Sequence, residues 1–200
     1  MALATSFTAS LPDWLVSSLD EFDVPLPTHE DRVALTNTLA ARNHVEGNGG
    51  PFAAVVVDRA TSRLVSIGVN VVLSTRKSSV HAEVMALSLA QEKTGAWDLG
   101  ASESQDLELV VNWRPCTMCY GALVWSGVKH LVIAGDGPEC EDLTGFDEGP
   151  MPADWVGELE ARGISVTIDV LRDAAVEVFA DYGRSGATVY NARGTGSRND

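Results

Sequence analysis

Two short stretches, His81-Ala82-Glu83 and Pro115-Cys116-Thr117-Met118-Cys119, constrain this sequence more than any other feature. One imidazole and two thiols make up three of the four ligands of a tetrahedral zinc ion, so a fold that uses them must bring both stretches together. Each stretch falls where an apolar, strand-like run gives way to a helical pattern. That spacing predicts that His81, Cys116 and Cys119 lie in the first turns of two neighbouring helices, where free backbone N–H groups and the positive end of the helix dipole favour thiolates. Pro115 suits such a start, since it has no N–H to leave unpaired. Three protein ligands leave the fourth position to water, which the metal activates. Two thiolates and a neutral imidazole cancel the ion's formal charge and weaken that activation, which leaves Glu83 to serve as the general acid/base and not as a ligand.

A C-x-x-C on its own also suits a redox pair or half of a closed structural site. A closed site needs a fourth Cys or His. The remaining cysteine, Cys140, falls in a stretch of Pro, Glu and Asp that reads as a polar loop, and is expected to be an inert thiol. His29, His44 and His130 have no ligand spacing and read as ordinary surface or capping histidines.

Asp and Glu outnumber Lys and Arg by 28 to 14 in 200 residues, a net charge of -14 that repels a phosphate backbone unless the cations gather in one groove. They are scattered along the sequence, so the expected substrate is a small molecule and not a nucleic acid. With three cysteines there is no disulfide framework, and no apolar run is long enough to span a bilayer. These features predict a soluble, cytoplasmic protein without a membrane partner. An apolar content of 45% suffices for one well-packed domain.

Along the chain, Leu11, Trp14, Leu15, Leu19 and Phe22 predict an amphipathic helix over 11–22 in an N-terminal extension, 1–27. Thr28 and Asp31 form a capping-box pattern that opens a helix running to about 45. Strands follow at 52–57 and 63–72, then a helix at 81–93, a strand at 107–111, a helix at 116–125 and a strand at 128–134. Further helices are predicted at 153–162 and 172–182, strands at 164–170 and 187–190, and a disordered tail at 194–200. This alternation argues for an α/β protein, a three-layer α/β/α sandwich around a central mixed sheet.

With those residues in place, the chain resembles the cytidine-deaminase-like superfamily, and within it the bacterial guanine deaminases. The resemblance covers 28–193, which would form the zinc-dependent deaminase domain, and it is carried by His81-Ala82-Glu83 and Pro115 to Cys119 together with 119–128, 145–150 and 190–193. It implies hydrolysis of guanine to xanthine and ammonia with Zn2+, as a homodimer whose C-terminal segments (about 150–193) are exchanged. It also implies that Glu148 is a second carboxylate gripping or protonating the purine and that Asn70 and the Ala82 backbone contact the base. Phe52, Phe146 and Tyr190 would line the pocket. One departure stands out: Asn112-Trp113-Arg114 precedes the Pro-Cys pair where relatives commonly carry a small residue and then an acid. Trp113 at the substrate pocket would narrow it and shift preference toward cytosine, 5-azacytosine or an aminotriazine such as ammeline. A polynucleotide deaminase and a non-catalytic zinc protein are the remaining readings; the net charge opposes the first, and Glu83 beside an open ligand position opposes the second.

Overall fold

A computed structural model describes residues 3–102 and 105–192. Five strands, β1 (Ala53–Asp58), β2 (Arg63–Val69), β3 (Leu107–Val111), β4 (His130–Ile133) and β5 (Ser165–Thr167), form one sheet in the order β2-β1-β3-β4-β5. β1 is antiparallel to both β2 and β3, whereas β3, β4 and β5 run parallel, so the sheet is mixed as the sequence predicts.

Side chains on a strand alternate between faces, and the two cores divide accordingly. Val55, Val57, Val110 and Val132 face one side, where they meet Val33 and Leu39 of α2 (His29–Val45) and Phe179 of α8 (Arg172–Ser185). Ala54, Val56, Leu109, Leu131 and Ile133 face the other side. There they meet Ala86 and Leu87 of α4 (Ala82–Thr94), Leu123 of α5 (Thr117–Ser126) and Leu159 of α7 (Trp155–Glu160). Both faces are covered, which gives the three-layer sandwich. Gly68 lets β2 approach α4 closely: a Cβ there would run into the carbonyl of Ala82 and the amide of Ala86.

The capping box at the start of α2 forms as expected. The Asp31 amide donates to the Thr28 hydroxyl at 3.0 Å, and the Thr28 amide donates to the Asp31 carboxylate at 3.1 Å. Four local expectations need correction. The predicted helix over 11–22 is broken into α1 (Asp13–Val16) and a 3-10 turn at Leu19–Phe22, because the Ser17 and Ser18 hydroxyls both donate to the Trp14 carbonyl and compete with the backbone for it. Leu15 is nonetheless fully buried, so the extension packs on the domain. A short helix not foreseen, α3 (Val72–Thr75), follows β2. The stretch around Cys140 is a helix, α6 (Glu139–Thr144), with Cys140 buried against the core. The segment 187–190 makes no strand: the Ala187 amide donates to the Ser185 hydroxyl and the Thr188 carbonyl accepts from the Tyr182 hydroxyl, both on α8, while the Tyr190 hydroxyl accepts from the Gly50 amide. The tail at 194–200 lies outside the described residues. No described helix is long and apolar enough to cross a membrane.

Candidate metal centre and active site

His81 is the residue before α4 and Cys116 the residue before α5, both with the extended backbone of an N-cap; Cys119 follows in the first turn of α5. The fold sets these two helix starts side by side. The ligand atoms of His81, Cys116 and Cys119 lie within 4.8 Å of one another, with Cys116 Sγ 3.5 Å from His81 Nδ1. Among the described residues no fourth Cys, His, Asp or Glu joins the cluster.

The protonation chemistry of this donor set fits a cation. Hydrogen bonding from Cys119 and His81 outweighs burial and holds the Cys116 thiol at about 4, so it is a thiolate at neutral pH. The same bond to Cys116 pushes Cys119 the other way, and burial and the Glu83 charge add to the effect. Burial would lower His81, but the hydrogen bond to Cys116 and the surrounding negative charges raise it. Three ligands therefore share protons that a divalent ion would displace.

The cluster opens onto a cavity of about 490 Å³. Glu83, in the first turn of α4, is 6% exposed and lines it; burial and the Cys116 charge raise its carboxyl above the usual range. Glu148 lines the same cavity from the loop after α6, pushed up to about 8 by burial and by the charges of Cys116 and Glu83. Thr117 staples that loop to the start of α5: its amide donates to the Glu148 carbonyl at 3.0 Å, and its hydroxyl to the Pro150 carbonyl at 2.7 Å.

Phe52 and Phe146 form an aromatic wall, with ring centroids 5.5 Å apart at 62°. Tyr190 packs on Phe146 at 4.8 Å and accepts a hydrogen bond from the Gly50 amide at 3.0 Å. A side chain at position 50 would displace Tyr190, Phe146 and Phe52 together. Asn191 ties the C-terminal segment to the Glu148 loop by donating to Gly145 O at 2.8 Å and accepting from Asp147 N at 3.0 Å.

Two predicted contact residues are absent from the cavity wall. Ala82 is fully buried, and Asn70, 1% exposed, sits behind the wall: its Oδ1 accepts from Val72 N at 3.2 Å, its backbone N–H donates to Phe52 O at 3.1 Å, and its side chain hydrogen-bonds Tyr190. Trp113 borders the cavity but is 1% exposed: its indole stands edge-on to Phe179 at 5.1 Å, lies under the Arg172 guanidinium and donates to the Gly137 carbonyl. Most of its surface is packed in the core, and the remainder forms part of the cavity lining. Asn112, also unforeseen, anchors the Phe52 loop by accepting from Ala53 N at 2.9 Å and donating to Pro51 O at 3.0 Å. Its signal in the sequence was only a polar residue ending an apolar strand.

Residues 27–135 match the model of the cytidine and deoxycytidylate deaminase zinc-binding region, and the chain belongs to that family of zinc-binding deaminases. Its relatives are more specific. A guanine deaminase of Bacillus subtilis is 32% identical over 120 residues, which span 60% of this chain and 72% of that protein. The structure of a guanine deaminase from Nitrosomonas europaea is similar with a TM-score of 0.84 and 41% identity, covering 92% of this chain and all of that one. NE0047, solved with 2,6-diaminopurine, is 43% identical with a TM-score of 0.85 over 94% of this chain and 98% of its own.

Proposed function

We propose that this enzyme hydrolyses guanine to xanthine and ammonia. The observation that carries the reading is one cavity in which the His81, Cys116 and Cys119 cluster, two carboxyl groups and an aromatic wall converge, in a fold matched over nearly its whole length by guanine deaminases. Zinc, which His81, Cys116 and Cys119 would hold, would supply the Lewis acidity that activates water for attack. Glu83 takes a proton from water as the water oxygen bonds to the purine carbon bearing the amino group, and passes it to the ring nitrogen; it then carries the second proton from the new hydroxyl to the amino group as the carbon–nitrogen bond breaks and ammonia leaves. Glu148, across the cavity, would accept hydrogen bonds from the proton-rich edge of the base. Phe52 and Phe146 supply stacking faces, and Tyr190 closes the wall. Asn70 acts on the site through its side-chain hydrogen bond to Tyr190 and its backbone bond to Phe52, and a direct contact of Asn70 or of the Ala82 backbone with the base would require the wall to open.

Cytosine, 5-azacytosine and ammeline are not favoured: the likeness is to guanine deaminases, and the residue expected to narrow the pocket is packed into the core. The same reading makes 1–27 an extension to a deaminase domain at 28–193, in keeping with a family match that begins at 27. It also makes the protein a cytoplasmic homodimer of purine catabolism, with segment 150–193 exchanged between subunits. The mass in solution of a chain ending at 185 tests the exchange, and a fully active truncated monomer rules it out. The activity is tested by ammonia release from guanine, cytosine, 5-azacytosine, ammeline, adenine, guanosine and cytidine. Guanine is expected to lead, and turnover of the others without guanine would refute the assignment.

A further inference from the structure

Arg114 is the one arginine or lysine among the described residues lining the cavity, and the mechanism above gives it no task. Its backbone is pinned where β3 leads toward Cys116, with its amide donating to Gly135 O at 2.8 Å. The side chain is half-buried, and its Nε is shut off from solvent without a hydrogen-bond acceptor. Arg172, a few residues away through Trp113, behaves differently: it is satisfied by Glu139 at 2.7 Å and Asp169 at 2.8 Å. Neither Glu83 nor Glu148 forms an ion pair with Arg114, although both line the same cavity. The Nε itself is sealed off, but among the described residues no hydrogen bond or ion pair engages the terminal nitrogens of the guanidinium either, and a cation at the wall of a substrate space with no protein partner suits an acceptor on the ligand.

A guanidinium has only donors, and carboxylates chiefly accept. Guanine presents both kinds of edge: an amino group with a neighbouring ring N–H, and an oxo group beside a ring nitrogen. Glu83 and Glu148 suit the first edge and Arg114 the second, where the fork of an arginine matches guanine's oxygen and nitrogen acceptors. We propose that Arg114 determines specificity by donating to the ring oxo group, so that the pocket selects an oxopurine over its diamino analogue. This rests on the guanine deaminase reading. 2,6-Diaminopurine differs from guanine in carrying an amino group at the oxo position, which turns a donor toward the guanidinium.

The test uses zinc-loaded full-length enzyme and compares guanine with 2,6-diaminopurine in the wild type, Arg114→Gln and Arg114→Lys. Arg114→Gln is expected to lower kcat/KM for guanine about ten- to hundredfold. Its value for 2,6-diaminopurine should change little, and Arg114→Lys, which keeps the charge but not the fork, should fall between. Equilibrium affinities for the two purines are measured in parallel on the Glu83→Gln protein with and without Arg114→Gln, with circular dichroism and zinc content confirming the fold. An unchanged guanine-to-diaminopurine ratio in the affinities overturns the proposal. If the wild type turns over neither purine, the deaminase reading fails by itself, and the affinity ratio still decides the role of Arg114.

Discussion

The two ends of the sheet each gather ionisable groups, and they do so in opposite ways. At the end where β3 and β4 begin, charges are matched. The buried Arg32 donates to Glu108 at 2.7 Å, His29 meets the other Glu108 oxygen at 3.3 Å, Arg59 pairs with Asp106 at 2.7 Å, and His130 bridges Asp106 and Ser165. At the far end of β3 acidic groups crowd without matched partners: two thiols, Glu83 and Glu148 around a single imidazole, with the guanidinium of Arg114 at the wall paired to neither carboxylate. Matched charges hold strands and helices together. Crowded like charges gain stability only from something added, here a cation, or from holding protons, and that is the condition a hydrolytic site needs.

The contrast is broken most severely at the metal end by Glu83→Gln. Ammonia release should fall by at least ~10²–10⁴-fold while zinc stoichiometry is retained, and a near-normal rate would remove Glu83 from the chemistry. At the matched end, Glu108→Ala strands the buried Arg32 and should cost about 3–5 kcal/mol in urea unfolding. Turnover per folded molecule should hold, so a specific loss of rate would show that the two ends are coupled. Zinc affinity, followed by competition with a chelator, should rise with pH, because the ion displaces protons held by Cys119 and by the raised His81. A flat profile would mean the ligands are already deprotonated.

A further effect concerns Glu148 in zinc-free protein. Its folded value of about 8 exceeds the ordinary 4.5, so the protonated group's contribution to stability is fully present below 4.5 and is lost as pH rises through 8. Glu148→Gln cannot ionise and should flatten this part of the stability profile. An equal decline in both proteins would assign the slope to other groups.

The sequence disclosed the metal end far better than the matched end. His81, Cys116, Cys119 and Glu83 belong to two compact patterns in which residue type and spacing have a chemical reason. Glu108 lies on the strand β3 among Leu107, Leu109 and Val110, and its partners come from residues 29, 32 and 59, so pairing that only folding creates left no local trace. The same holds for Asn112 and for Trp113, whose surroundings are supplied by Phe179 and Arg172. Period-2 and period-3.6 patterns placed most of the strands and helices. They failed at 11–22, where serine hydroxyls interrupt the helix, and at 187–190, where the backbone bonds back to the end of α8 and Tyr190 serves the pocket.

The contact between Tyr190 and Gly50 also orders events during synthesis. Every metal ligand has been synthesised by residue 119, long before the tyrosine that completes the cavity wall. A nascent or C-terminally clipped chain would therefore capture zinc in a site still open to bulk water. Metal content alone would overstate the fraction of competent enzyme, and the difference between bound zinc and turnover would count the molecules whose last wall is missing.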